Sequence, residues 1–157
     1  MNKEHHYNLE IEWTGNTGSG TQNYKTYERS HVLRKDNKVN IALSSDPAFR
    51  GDTSKHNPEE LLLASVSSCH MLWYLHFCSV EGINVLAYVD SPEGIMVEKK
   101  DGSGQFTEIT LKPSITLENK EMKEKANQLH KKAHHFCFIA NSCNFPIHHK
   151  ATYDVGA

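Results

Sequence analysis

The stretch that decides the fold is Asn57-Pro58-Glu59-Glu60-Leu61-Leu62-Leu63-Ala64-Ser65-Val66-Ser67-Ser68-Cys69-His70-Met71-Leu72-Trp73-Tyr74-Leu75-His76-Phe77-Cys78-Ser79, with Gly82 three residues on. It opens with helix-start chemistry: Asn as a cap, Pro at the first helical position, two acids in the first turn. No breaker follows until Gly82, so the pattern predicts one helix from Asn57 to about Ser79. Apolar residues lie on nearly all its sides, which is expected of a central, covered helix. Ser65, Ser67, Ser68, His70 and His76 interrupt the run, so it reads as a buried helix and not a membrane span.

Strands flank this helix. Upstream, Tyr7, Leu9, Ile11 and Trp13 alternate with polar residues, the period-two mark of a half-buried strand. A second strand is expected through Tyr24, Tyr27 and Val32, and a third over Val39 to Leu43 after the Asp36-Asn37-Lys38 turn, making an antiparallel meander. Ser44 to His56, with Pro47, Arg50 and Gly51, reads as a loop. Downstream, Ile83, Val85, Ala87 and Val89 alternate, as do Ile109, Leu111, Ile115 and Leu117, with turns at Gly94 and Asp101 to Gly104. A second, amphipathic helix fits Lys120 to about Phe136, with Met122, Ala126, Leu129, Ala133 and Phe136 on one face. A last strand carries Ile147, His149, Ala151, Tyr153 and Val155. The sum is an α+β chain of antiparallel sheets around a long buried helix, read as one domain over residues 1–157.

The 157 residues, 38% hydrophobic and 23% charged, suit a soluble domain with its own core. A net charge of −2 points to no nucleic acid and no anionic membrane as partner. The opening Met1 to Trp13 is polar and resembles no signal peptide, so a cytoplasmic location is expected, where the four cysteines stay reduced unless they do chemistry. No CxxC pair occurs, and neither a cofactor nor a metal is expected.

A free cysteine on an apolar helix is most often a small core residue, and Cys78 is read that way. Cys69 and Cys78, nine positions apart, sit about half a rotation out of phase and ~13 Å apart along the axis, so they cannot form a disulfide in an intact helix. Cys137 ends the second helix on its inward face, from which it could reach Cys69 in the core, while Cys143 follows in a loop. A reactive Cys69 needs a positive neighbour, because an ordinary thiol is only about 3% thiolate at neutral pH. Only Arg29, Arg34 and Arg50 offer a guanidinium.

Asn57-Pro58-Glu59-Glu60-Leu61 with Cys69 twelve positions after the Asn, and Ala133-His134-His135-Phe136-Cys137 far downstream, resemble the OsmC-like family of osmotically inducible and organic-hydroperoxide-resistance proteins. The likeness spans about Leu9 to Val155. It implies the OsmC-like fold as an intertwined homodimer, and a thiol peroxidase acting on organic hydroperoxides. It also implies that Cys69 attacks the O–O bond, that Cys137 closes a Cys69–Cys137 disulfide, and that a dithiol reductant (in some relatives a lipoylated protein) reopens it. A glutamate and an arginine hold the thiolate in the family. Glu59 matches the first; Arg50 is the first candidate for the second, and Arg29 the other. Glu59 and Cys69 lie ~15 Å apart along one helix, so a shared site implies Glu59 from the second subunit. Phe138 stands where relatives often have Pro.

Two other classes compete. His130 and His134 have the one-turn spacing of metal ligands, but beside Lys131 and Lys132 they read as a solvated helix face, as do the pairs His5-His6 and His148-His149. An apolar pocket around Trp73, Tyr74 and Phe136 would equally suit a hydrophobic ligand held without turnover.

Overall fold

The chain builds three small sheets and two main helices. The structure is a computed structural model and describes residues 2–156. It divides into two compact units, Met1–Leu61 and Leu62–Ala157.

In the first unit, β1 (Glu10–Trp13), β2 (His31–Arg34) and β3 (Ile41–Leu43) form the expected antiparallel meander. The second strand is shorter than its aromatic run suggested. Tyr24 and Tyr27 lie in turns, where their rings flank the Arg29 guanidinium at 4.2 Å each. The loop before the helix is tightly wound. Asp46 Oδ1 accepts the Ala48 N–H at 2.7 Å to start a 3-10 turn, Pro47–Phe49. Arg50 ends that turn at φ 66°, the left-handed region that side-chain-bearing residues rarely occupy. Gly51 follows for a steric reason: a Cβ there would lie 1.6 Å from Ser45 O.

α1 runs Pro58–Val80, matching the sequence expectation at both ends. Asn57 Oδ1 accepts the Glu60 N–H at 2.8 Å, and a Glu60 oxygen accepts the Asn57 N–H at 3.3 Å, a reciprocal capping box. At the other end Gly82, φ 68°, lets the Gly82 N–H reach Ser79 O and the Ile83 N–H reach Cys78 O. This closes the last turn as a Schellman motif.

The second unit holds two mixed sheets, β4-β7-β9 and β5-β6-β8. Their strands are β4 (Val85–Asp90), β5 (Glu93–Glu98), β6 (Gly104–Leu111), β7 (Pro113–Leu117), β8 (Ile147–His149) and β9 (Thr152–Val155). Two of the alternating runs, Ile109–Leu117 and Ile147–Val155, each change sheet midway. The chain leaves β6 after Leu111 and enters β7 at Pro113; Asp90 Oδ1 takes up the intervening Lys112 N–H at 2.7 Å. Ile109, Leu111, Pro113, Ile115 and Leu117 stay buried throughout, so one alternation serves two sheets. The C-terminal run splits likewise at Lys150, whose N–H reaches Leu111 O at 2.8 Å.

Two expectations need correction here. The sheets are not purely antiparallel: β6 pairs β8 and β7 pairs β9 in parallel. Period two is the same in either orientation and carries no such information. β5 also runs through Gly94, where the sequence predicts a turn; that glycine lets the strand pass Phe106, whose ring a Cβ would meet at 2.7 Å.

α2 (Lys123–Phe136), preceded by a 3-10 turn at Lys120–Met122, packs with the second half of α1 against β4-β7-β9 in a core of Tyr74, Phe77, Ile115, Leu117, Ala126 and Leu129. Val66, nearer the helix start, packs on Ile109 and Leu111 of the other sheet. Each half of the helix thus has its own sheet. α1 is not covered all round, however: Ala64, Ser68, Leu72 and His76, one strip at four-residue spacing, are exposed, and Leu72 is 63% accessible.

Candidate active site

Cys69 sits midway along α1, half-exposed, in a cavity of about 400 Å³ lined by Ser65, Ser68, Leu72, Trp73, Phe138 and Ile139. Four of these six side chains are apolar. Trp73 is braced from behind by Phe77 and Phe136, at ring separations of 5.5 and 5.3 Å, and meets Phe138 edge-on at 5.8 Å. The expected pocket of Trp73, Tyr74 and Phe136 is therefore built differently. Tyr74 points into the core, Phe136 supports Trp73 without lining the cavity, and Phe138 and Ile139 supply the facing wall.

Those two residues belong to α3 (Phe138–Asn141), a single turn that the sequence reading missed. Cys137 joins the helices: its extended ψ of 106° ends α2, and its sulfur caps α3 by accepting the Ala140 N–H at 3.4 Å. Cys137 is wholly buried. Cys69 is close enough to act on its thiol, so the structure brings together the two cysteines that the sequence singled out. Burial, and then that neighbouring sulfur, push the Cys137 thiol up to about 12. Cys78 lies in the core as expected, its thiol also raised by burial. Cys143 is partly buried and donates to Ile139 O at 3.3 Å.

Arg29, Arg34, Arg50 and Glu59 lie in the first unit, where the three arginines are unequal. Arg34 is paired with Glu12 at 2.7 Å. Arg29 donates to the carbonyls of Tyr27 and Tyr24, at 2.5 and 2.8 Å, between the two tyrosine rings. Arg50 has neither an ion pair nor a side-chain hydrogen bond among the described residues, and it lines a polar hollow together with Arg29, Ser30, Ser44 and Asp52. Glu59 Oε2 is buried with no hydrogen-bond partner among the described residues.

The histidines require a correction. His130 is not on a solvated face: it is fully buried, as is His70 at 2% exposure. His70 Nε2 and His130 Nδ1 lie 2.9 Å apart, so one ring donates and the other accepts. His130 is also stacked between Tyr74, at 4.2 Å, and His149, at 4.9 Å. Burial holds His70 and His130 down to about 4 and about 3, so both are neutral at physiological pH. The sequence did carry a signal for this. Ala126, Leu129, His130 and Ala133 follow the 0, 3, 4, 7 spacing of a buried helix face, which the adjacent lysines obscured. His134 is half-buried near His149 and lines a separate hollow with it. Among the described residues no three metal-ligating side chains converge to hold an ion.

A long helix packed on two sheets, with Cys69 open to an apolar cavity and the buried Cys137 near it, defines a class of protein. Residues 51–152 match the family model described as OsmC-like protein, and the chain belongs to that family. It is similar to an OsmC-like protein of unknown function from Vibrio cholerae, with 24% identity, a TM-score of 0.85, and coverage of 95% of this chain and 100% of that one. An organic hydroperoxide resistance protein from Elizabethkingia anophelis, with thiocyanate bound, gives 19% identity and a TM-score of 0.68 over 98% of this chain and 100% of that one. A putative organic hydroperoxide resistance protein from Vibrio cholerae, with captopril in one of its active sites, gives 16% and 0.63 over 98% and 95%. At these identities the structural likeness speaks for the fold. No curated protein matches the chain.

Proposed function

We propose that this chain is a cytoplasmic, cysteine-based peroxidase that reduces organic hydroperoxides to alcohols. The observation that carries the reading is a half-exposed Cys69 lining an apolar cavity with the buried Cys137 as its neighbour. The Cys69 thiolate attacks the terminal peroxide oxygen, the O–O bond breaks, and the alkoxide leaves as the alcohol after taking a proton. Cys69 is left as a sulfenic acid, and the Cys137 thiol condenses with it, releasing water and forming a disulfide. The high affinity of Cys137 for its proton suits a resolving thiol: it stays protonated while Cys69 reacts. The carbon-rich cavity suits an alkyl or aryl hydroperoxide better than hydrogen peroxide.

Arg50 is the guanidinium proposed to keep Cys69 ionised. Elimination supports it, since Arg34 and Arg29 already have partners. Glu59, with its unpartnered buried oxygen, is the carboxylate proposed to orient that arginine. A homodimer is part of the reading: the side chains of Ala64, Ser65 and Ser68 on α1 are small enough for a second helix to approach closely.

The test is consumption of cumene hydroperoxide in the presence of dihydrolipoamide, with peptide mapping after one equivalent of peroxide. A Cys69–Cys137 bridge with turnover is the expected result. Unchanged peroxide, with both thiols still free, removes the proposal.

A further inference from the structure

Where the second half of α2 meets β8, four side chains bearing nitrogen donors face a common space. Lys131 and His134 on α2, with His148 and His149 on β8, line a hollow of about 330 Å³ closed on one side by Ile147. No carboxylate belongs to its lining. Among the described residues only His148 of the four has an acid in reach, Glu108 of β6 at 4.0 Å. The wall is fixed from behind: His149 stacks at 4.9 Å on His130, which is buried and paired with His70. We propose that this hollow binds a phosphate dianion, free or as the end group of a small phosphate monoester. The proposal is independent of any peroxide chemistry at Cys69.

The cations here face one another. Burial first, and then the positive charges of His134, Lys131 and His148, hold His149 below the ordinary imidazole range. These groups therefore stand close enough to repel, and a dianion among them turns that repulsion into shared attraction. From the elements behind it, His149 faces His70 of α1 at 6.1 Å and His130 of α2, both neutral at physiological pH. Neither competes for an anion.

Size and shape select phosphate. A metal ion needs its nitrogen ligands within about 2.1 Å of one point, and among the described residues no such group forms. A tetrahedral oxyanion points its oxygens in several directions, so donors standing several ångströms apart can each reach one. Lys131 supplies a mobile point charge and the imidazoles supply directed N–H donors. The volume lies near the lower bound of small-molecule sites, about 300 Å³, which limits any organic part to a few carbons beside Ile147. A phosphate monoester loses its second proton near pH ~6 and an ordinary imidazole near ~6.5, so dianion and imidazolium coexist between them and neutrality. Binding draws protons onto the rings, and affinity falls as alkali removes them.

The experiment titrates inorganic phosphate, and separately glycerol 3-phosphate, into the full untagged chain. Backbone amide shifts are followed by NMR at about pH 6.5 and about pH 8, with ionic strength held constant by chloride. The expected result is saturable binding with shifts concentrated at residues 131–134 and 147–149. Affinity should be at least about tenfold weaker at the higher pH. Lys131→Ala and His134→Gln alter side chains that are not in the core; each should keep the parent melting temperature and weaken binding about tenfold. Tighter binding of the ester identifies a monoester site, and tighter binding of inorganic phosphate a site for the free ion; either upholds the proposal. Shifts that chloride alone reproduces, shifts that map elsewhere, or an affinity indifferent to pH in the parent chain overturn it.

Discussion

Cys69 and His70 are neighbours in sequence but sit in opposite environments. One helical step of about 100° separates a half-exposed thiol facing an apolar cavity from a buried imidazole whose nitrogen is paired to His130. Both are polar groups in greasy surroundings. His70 is satisfied internally and locked neutral, so it holds the core together. Cys69 meets one buried thiol and otherwise faces open space, so it is left available for chemistry. The difference lies in what each side chain touches, because their position along the helix is the same.

The comparison is broken most directly by Cys69→Ser. Hydroperoxide consumption is expected to fall by at least about a thousandfold, with a melting temperature close to that of the parent. The opposite face should behave inversely. His130→Ala removes a buried ring and leaves His70 unpaired, and is expected to lower unfolding free energy by about 2–4 kcal/mol in urea titration, with the rate of Cys69 alkylation unchanged.

Acid sharpens the contrast next. Unfolded imidazoles bind a proton near 6.5, whereas His70 and His130 resist down to about 4 and about 3. Their full contribution to stability is present above pH 6.5. It is lost as pH falls towards those lower values, because the unfolded state takes up protons first, at a limiting slope of about 1.4 kcal/mol per pH unit for each ring. Urea midpoints measured from pH 7 to 4 should trace this loss, and the His130→Ala protein should show a shallower slope.

The arginines give the smaller effects. Arg50→Ala is expected to slow peroxide reduction by about ten- to a hundredfold, as the thiolate loses its guanidinium partner; the rate of Cys69 alkylation at neutral pH should fall with it. Arg29→Ala should leave the rate unchanged and cost about 1 kcal/mol of stability from the lost tyrosine stacking. If the two outcomes were exchanged, Arg29 would be the activating residue.

Much of this was legible in the sequence where the physics is local. The Asn57–Glu60 capping box and the Gly82 stop depend on residues a few positions apart, and both ends of α1 followed from them. The pairing of Cys69 with Cys137 was legible through the resemblance to the OsmC-like family, since helix phase said only that Cys137 faces inward. The parallel partnership of β6 with β8 was not, since alternation fixes which side chains face inward but not which strand lies alongside. Arg29 was obscured for another reason: Tyr24 and Tyr27 look like strand aromatics, and only the folded turn shows them clasping a guanidinium. α3, four residues long, is too short to have a period.

The paired change of sheet at Lys112 and Lys150 bears on how the molecule forms. Neither sheet of the second unit can acquire its parallel strand until residues 147–155 have been synthesised, some thirty positions after β7 ends. During synthesis β6 and β7 are left with open edges, so assembly there waits on distant segments and is slow by topology. A nascent chain halted before Ile147 should therefore be recognised by chaperones as unfinished in both sheets at once.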